Sequence, residues 1–144
     1  MLSQKEIQDL LPHGDGMCMI ECVEHWEENA IVCTSANVQS NDNPLLEEKY
    51  LSSICLLEYA AQAAAIHAGL LQSGAKRTLS EGHAAYVGGI KNIEVAMPQL
   101  TSEMKDVTIE ANIELLTDNG AIYNFTAKSL DKLIVSGRLT LIKP

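Results

Sequence analysis

The sequence predicts an α+β domain in which a curved antiparallel sheet wraps one long apolar helix. Three observations carry this. The stretch LSSICLLEYAAQAAAIHAGLLQSGA, from Leu51 to Ala75, is Ala-rich and apolar nearly all round, so a helix formed there must be covered on most of its sides. Two segments before it and four after it carry strand patterning. Turn signals such as Asp118-Asn119-Gly120 join neighbouring segments into hairpins. One sheet covers one side of such a helix, so a second subunit is expected on the other side and at the sheet edge, through edge-strand pairing.

Each element has a local reason. Ser3-Gln4-Lys5-Glu6 has the form of a capping box ahead of Ile7, Leu10 and Leu11, which predicts a short N-terminal helix ended by Pro12. His13–Gly16 is a glycine-rich turn. Met17–Trp26 and Ala30–Val38 read as a strand hairpin about Glu27–Asn29, with Ile31, Cys33 and Ser35 on one face of the second strand. The polar run QSNDNPLLEEK leads to the long helix, for which Ser52 or Ser53 suits the N-cap. Ala84–Met97 reads as a long strand in which Gly88-Gly89 mark a bend or a close backbone approach, and Pro98 ends it. Val107–Leu116 alternates, with Val107, Ile109, Ala111, Ile113 and Leu115 on one face. Ala121–Ser129 and Leu133–Ile142 complete the meander through a turn at Asp131-Lys132. No internal repeat or linker divides the 144 residues, so a single domain over 1–144 is expected.

Composition narrows the function classes. A net charge of −9 argues against nucleic-acid binding. It also repels acidic carrier proteins unless a basic patch intervenes, for which Lys76, Arg77, Lys91 and Arg138 are the candidates. The charged, amphipathic N-terminus lacks the apolar core of a secretory signal, and no run of 18 apolar residues predicts a membrane span. Cysteines 18, 22, 33 and 55 have neither zinc-knuckle nor redox spacing. Reduced, buried thiols in the cytoplasm are therefore expected. No His–carboxylate pair has local ligand spacing, so neither a metal nor another cofactor is expected.

Glu58 stands out as the single charged side chain between Leu51 and Ala75. Removing a carboxylate from water costs several kcal/mol unless it is paired, hydrogen-bonded or protonated. One reading is general acid or base work; the other is a Glu that bonds a neighbour or reaches solvent at the helix edge. Gln62, one turn on, shares its face and either orients or satisfies it. His67, nine residues on, faces roughly the opposite side and reads as core or interface. His25 reads as strand surface. The alanines at 60, 61 and 63 to 65 suit close helix packing, or an acyl tunnel.

Several of these stretches resemble a known family. Leu11-Pro12-His13 before a first strand looks like the opening of the hotdog-fold β-hydroxyacyl-acyl-carrier-protein dehydratases. Leu57-Glu58-Tyr59-Ala60-Ala61-Gln62 resembles their helix signature, Tyr86-Val87-Gly88-Gly89-Ile90-Lys91 their following strand, and Met97-Pro98 its end. The matches cover roughly residues 10 to 100, in the right order. One departure is clear. The family's Gly-His-Phe-Pro motif, whose His lies fourteen residues ahead of the Glu, is replaced by Asn43-Pro44-Leu45-Leu46, with Pro44 at the His position. Ser52-Ser53 replace the family's Pro-Gly. The Asn-Pro-Leu form looks more like the dehydratases of aryl-polyene-type lipid clusters.

The resemblance implies a hotdog fold and elimination of water from a 3-hydroxyacyl thioester of acyl carrier protein or coenzyme A, in fatty-acid or polyene lipid biosynthesis. It gives Glu58 the carboxylate role and the Ser53 N–H, helped by the helix dipole, the thioester carbonyl. Gln62, Gly88 and Gly89 are expected to contact substrate. His13, delivered by its tight turn, is the candidate for the missing imidazole, against a purely structural role in that loop; His83 is a second candidate. Two other readings stay open. A hotdog thioesterase would use Glu58 to activate water without a His. A non-catalytic chain would pair with an active dehydratase, as a heterodimer rather than a homodimer or higher homo-oligomer.

Overall fold

A computed structural model describes residues 2, 6–7, 18–46, 49–73 and 86–142 of the chain. Strands β1 (Cys22–Trp26) and β2 (Ala30–Ser35) precede a 3-10 turn (Ser53–Cys55) and helix α1 (Leu56–Ser73). Strands β3 (Tyr86–Val95), β4 (Val107–Thr117), β5 (Gly120–Ser129) and β6 (Lys132–Ile142) follow. The six strands form one sheet in the order β1-β2-β4-β5-β6-β3, with every neighbouring pair antiparallel. The architecture is the one the sequence predicts, a sheet around one helix. Glu6 and Ile7 are helical, and the rest of the expected N-terminal helix lies outside the described residues.

The core forms because strand alternation and helix composition present complementary apolar surfaces. Ile31 and Cys33 of β2, Ile109 and Ala111 of β4, Tyr123, Phe125 and Ala127 of β5, and Leu139 and Leu141 of β6 are buried on the inner face. Leu56, Tyr59, Ala60, Ala63, Ala64, Ile66 and Leu70 of α1 pack against them. The alanines let the backbones approach, and each fully buried Leu or Ile contributes roughly 1.5–3 kcal/mol. Leu57, Ala65 and Ala68 remain half-buried, so a second stripe of the helix stays partly open. Among the described residues, Ser53–Leu71 is long and apolar enough to cross a bilayer by composition; its burial by the sheet accounts for that apolarity.

Leu115 does not share the inner face with Ile113, contrary to the strand alternation, because the β4–β5 register shifts between these residues and leaves Leu115 51% exposed. An extra residue in one strand moves all that follows to the opposite face. The cysteines are free, as expected, but only Cys18 and Cys33 are buried, whereas Cys22 and Cys55 are half-buried. Burial pushes the Cys33 thiol up to about 12, which keeps it protonated and unreactive.

His67 lies in the core, one of the places the sequence allowed for it. Its Nε2 is 2.7 Å from the carbonyl oxygen of Glu27, which can only accept, so Nε2 carries the proton. Nδ1 then accepts from the Tyr123 hydroxyl at 2.7 Å. Burial holds the imidazole below its ordinary pKa despite the Glu27 carbonyl. The unfolded chain therefore binds a proton that the native one refuses. The stabilisation is complete above about pH 6.5 and is lost as pH falls through the depressed native value. We expect the urea midpoint to drop on acidification through that window, and His67→Gln to flatten part of the drop when both proteins are titrated in parallel.

The β5–β6 hairpin turns on Leu130 and Asp131, whose φ values are 52° and 62°. The primed turn matches the sheet twist, but a left-handed leucine costs about 1–2 kcal/mol. Leu130 is 62% exposed and gains little from packing. Leu130→Asn is expected to raise Tm by about 2–5 °C in a thermal melt.

Candidate active site

Glu58 sits in the first turn of α1, not in the middle of a buried helix. The difference comes from the helix start. Ser52 caps a 3-10 turn, with its Oγ accepting from the Ile54 N–H at 3.4 Å, and regular α geometry begins only at Leu56. Glu58 is half-buried as a result. A carboxylate in a first turn faces the positive end of the helix dipole, which offsets part of its desolvation.

Gln62, 2% exposed, fixes this carboxylate. Its Oε1 accepts from the Met19 backbone N–H at 2.7 Å, and its Nε2 donates to Glu58 Oε2 at 3.3 Å. The Met19 N–H can only donate, so it sets the amide orientation and obliges Nε2 to face the carboxylate. Met19 belongs to the segment that enters β1, and through it the helix is tied to the chain downstream of Leu11-Pro12-His13. His13 and His83 lie outside the described residues, as do Lys76 and Arg77.

The other site residues fall as follows. Ser53 is buried, and both its N–H and its Oγ–H donate to the Pro98 carbonyl at 3.0 Å. The N–H expected to bind a thioester carbonyl is thus engaged, and Ser53 instead locks the helix start onto the loop after β3. Gly88 is the bulged residue where the β3–β6 register shifts between Val87 and Gly89. A Cβ there would lie 2.2 Å from Ile142 Cδ1, whereas one at Gly89 would meet nothing within 4 Å. Both glycines are on the edge strand, and neither belongs to the Glu58–Gln62–Met19 chain of hydrogen bonds.

Where the family's His would stand, Pro44 lies exposed in a turn held by Asn43. Asn43 Nδ2 donates to the Val38 carbonyl at 2.6 Å and to the Tyr59 hydroxyl at 2.9 Å, and its Oδ1 accepts from the Leu45 N–H at 2.9 Å. Burial pushes the Tyr59 hydroxyl up to about 12. This turn is structural. Neither described histidine replaces the missing one: His67 is engaged in the core, and His25 is a surface residue 3.8 Å from Glu27. Of the expected basic patch the structure describes Lys91 and Arg138, which are cross-strand neighbours, with Arg138 paired with Glu114 at 3.0 Å. A groove of about 510 Å³ near the chain entering the helix has Lys49, Lys105, Tyr50 and Gln39 in its wall, and Glu58 does not line it. No group of three His, Cys, Asp or Glu that could hold a metal occurs among the described residues.

Gln62→Leu removes the hydrogen bonds to Met19 and Glu58 and strands the Met19 N–H. A loss of about 1–3 kcal/mol in urea unfolding is expected, and Gln62→Glu, which can still accept from Met19, is expected to lose less of that contact while placing two carboxylates side by side.

No curated protein matches the chain in sequence. The dehydratase heterocomplex ApeI:P from Xenorhabdus doucetiae contains a chain that superposes with a TM-score of 0.82 at 20% identity, over 96% of this chain and 90% of that one. A mutant thioesterase from Pseudomonas aeruginosa superposes at 0.68 and 13% identity, over 99% and 94%. A thioesterase from Haemophilus influenzae gives 0.62 and 19%, over 99% and 90%. These likenesses establish the hotdog fold. The model of the ApeP-like family, described as ApeP dehydratase, matches residues 5–144, and the chain belongs to that dehydratase family.

Proposed function

We propose that this hotdog dehydratase eliminates water from 3-hydroxyacyl thioesters, borne by acyl carrier protein or coenzyme A, to give trans-2-enoyl thioesters for fatty-acid or polyene lipid biosynthesis. The observation that carries the reading is the Glu58 carboxylate on the first helical turn, held by Gln62, in a chain matched end to end by the dehydratase family. In the reaction a base takes the C2 proton and the freed pair forms the C2=C3 bond. The C3–O bond breaks, and an acid protonates the departing hydroxyl so that it leaves as water. Glu58 supplies the carboxylate half of this acid–base pair and His13 the imidazole half. Gly89, where a side chain would meet nothing, leaves room along the edge strand for the acyl chain, whereas the space at Gly88 is filled by Ile142; the dipole of α1 favours the enolate-like oxygen. Free thiols suit a cytoplasmic setting.

A second reading has a specific support. Pro44 stands in place of the family's His, and one similar structure is a dehydratase heterocomplex. In that reading the chain pairs through β3 and the half-open stripe of α1 with another dehydratase, which completes the site. Pairing with a second copy of itself gives the homodimer. The thioesterase reading rests on fold likeness alone and is subordinate.

The test is hydration of a crotonyl thioester by the purified protein, alone and with a candidate partner, with a thiol trap in parallel. Glu58→Gln and His13→Ala are each expected to lower kcat/KM by roughly 10²–10⁴. Activity that survives Glu58→Gln sinks the assignment, activity that survives His13→Ala removes His13 from the mechanism, and thiol release makes the protein a thioesterase.

A further inference from the structure

We infer that Ser35 is a positioning residue for Glu58, acting through the backbone of Met19 and the amide of Gln62. The inference rests on the assignment of Glu58 to the reaction and adds a residue that touches neither substrate nor Glu58.

Ser35 is the last residue of β2 and is 4% exposed, on the same inward row as Ile31 and Cys33. An inward hydroxyl at that place needs partners, and it has two. Its Oγ–H donates to the Met19 carbonyl at 2.7 Å, and its Oγ accepts from the Glu21 N–H at 3.2 Å. The same Glu21 N–H also reaches the Thr34 carbonyl at 3.2 Å. The hydroxyl thus stands in for the next rung of the β1–β2 ladder and clamps the chain on both sides of Ile20. Ile20 is itself fully buried, so the segment is held by packing and by hydrogen bonds together.

The clamp holds Met19 by its carbonyl, and the N–H of the same residue is the donor that sets the Gln62 amide. Without it the amide loses the Met19 donor that directs Oε1 away from the carboxylate and Nε2 towards it. The path Ser35 Oγ, Met19 backbone, Gln62 amide, Glu58 carboxylate is continuous, with steps of 2.7, 2.7 and 3.3 Å across its hydrogen bonds. It crosses from the sheet to the helix, so it ties the carboxylate's place to both. Small displacements of a reacting group cost large factors in rate.

Wild type, Ser35→Ala, Gln62→Leu and the double variant would be compared by ¹⁵N NMR and by crotonyl-thioester hydration. Ser35→Ala is expected to speed exchange of the Met19 amide and move the Gln62 side-chain NH₂ resonances, with β5 and β6 amides unchanged. It is expected to lower kcat on the order of tenfold, with KM little altered. It should cost nothing further once Gln62 is Leu, and Ser35→Thr, which keeps the hydroxyl, should restore the NH₂ resonances. Unmoved NH₂ resonances, or a rate loss that adds in full to that of Gln62→Leu, would overturn the inference. If Glu58→Gln proves fully active, the assignment of Glu58 fails, while the NMR comparison still decides whether Ser35 governs the amide. Ser35→Cys, close in volume and a weaker hydrogen-bonding group, replaces Ser35→Ala if the latter does not fold.

Discussion

Everything in this molecule depends on covering a helix that has almost no polar face. From Leu56 to Leu70 nearly every turn of α1 brings a side chain that water disfavours, and burial of that surface is the dominant favourable term in folding. The sheet must therefore curve, and its inner rows must be apolar and of fitting size. The buried aromatics Tyr123 and Phe125 come from one strand and face helix residues that include small alanines. A charged group has little room in such an interior. Glu58 stands at the start of the helix, where the 3-10 turn, the dipole and a strip of partial exposure allow a carboxylate to persist.

Polar groups near that start follow one rule, that each must be satisfied by something rigid. Among the described residues no buried side-chain nitrogen or oxygen lacks a partner. Ser53 gives both donors to Pro98, Asn43 ties three backbone or side-chain groups, and Gln39 holds the Leu51 N–H while donating to the Thr101 and Met104 carbonyls. These contacts join the loop before the helix to the loop after β3. The helix start is thus fixed from two directions. Preorganisation of this kind lets a single carboxylate be held without a salt bridge.

Much of this was legible in the residues. Alternation in β2 and the first half of β4, the Asp118-Asn119 turn and the apolar helix all follow from local periodicity and turn chemistry, and the strands start and end within a few residues of expectation except β1, which begins at Cys22 rather than Met17 because the chain pairs with β2 only from there. Glu58 and Gln62 were legible as a pair because i and i+4 share a helix face. Three things were not. The bulge that expels Leu115 depends on the pairing of two strands rather than on either alone. The commitment of the Ser53 N–H depends on where Pro98 arrives from far along the chain. The part played by Met19 is a backbone donor, which no side-chain pattern encodes. Ser35 did leave a trace, as a hydroxyl on a row otherwise apolar, but its meaning needed the third dimension.

The edge strand carries one more consequence. Between Lys91 and Glu94 the β3–β6 register slips, and Asn92 adopts a φ of 55°. An open edge bearing Val87, Ile93 and Val95 at the surface would otherwise be a straight template for any extended chain. The left-handed step breaks the row of outward N–H and C=O groups into two short runs with different orientations. A partner shaped for both runs can bind along the whole edge, whereas an indiscriminate stack of flat strands cannot propagate past the kink. The irregularity lets one surface be adhesive towards a fitted neighbour and resistant to fibril growth.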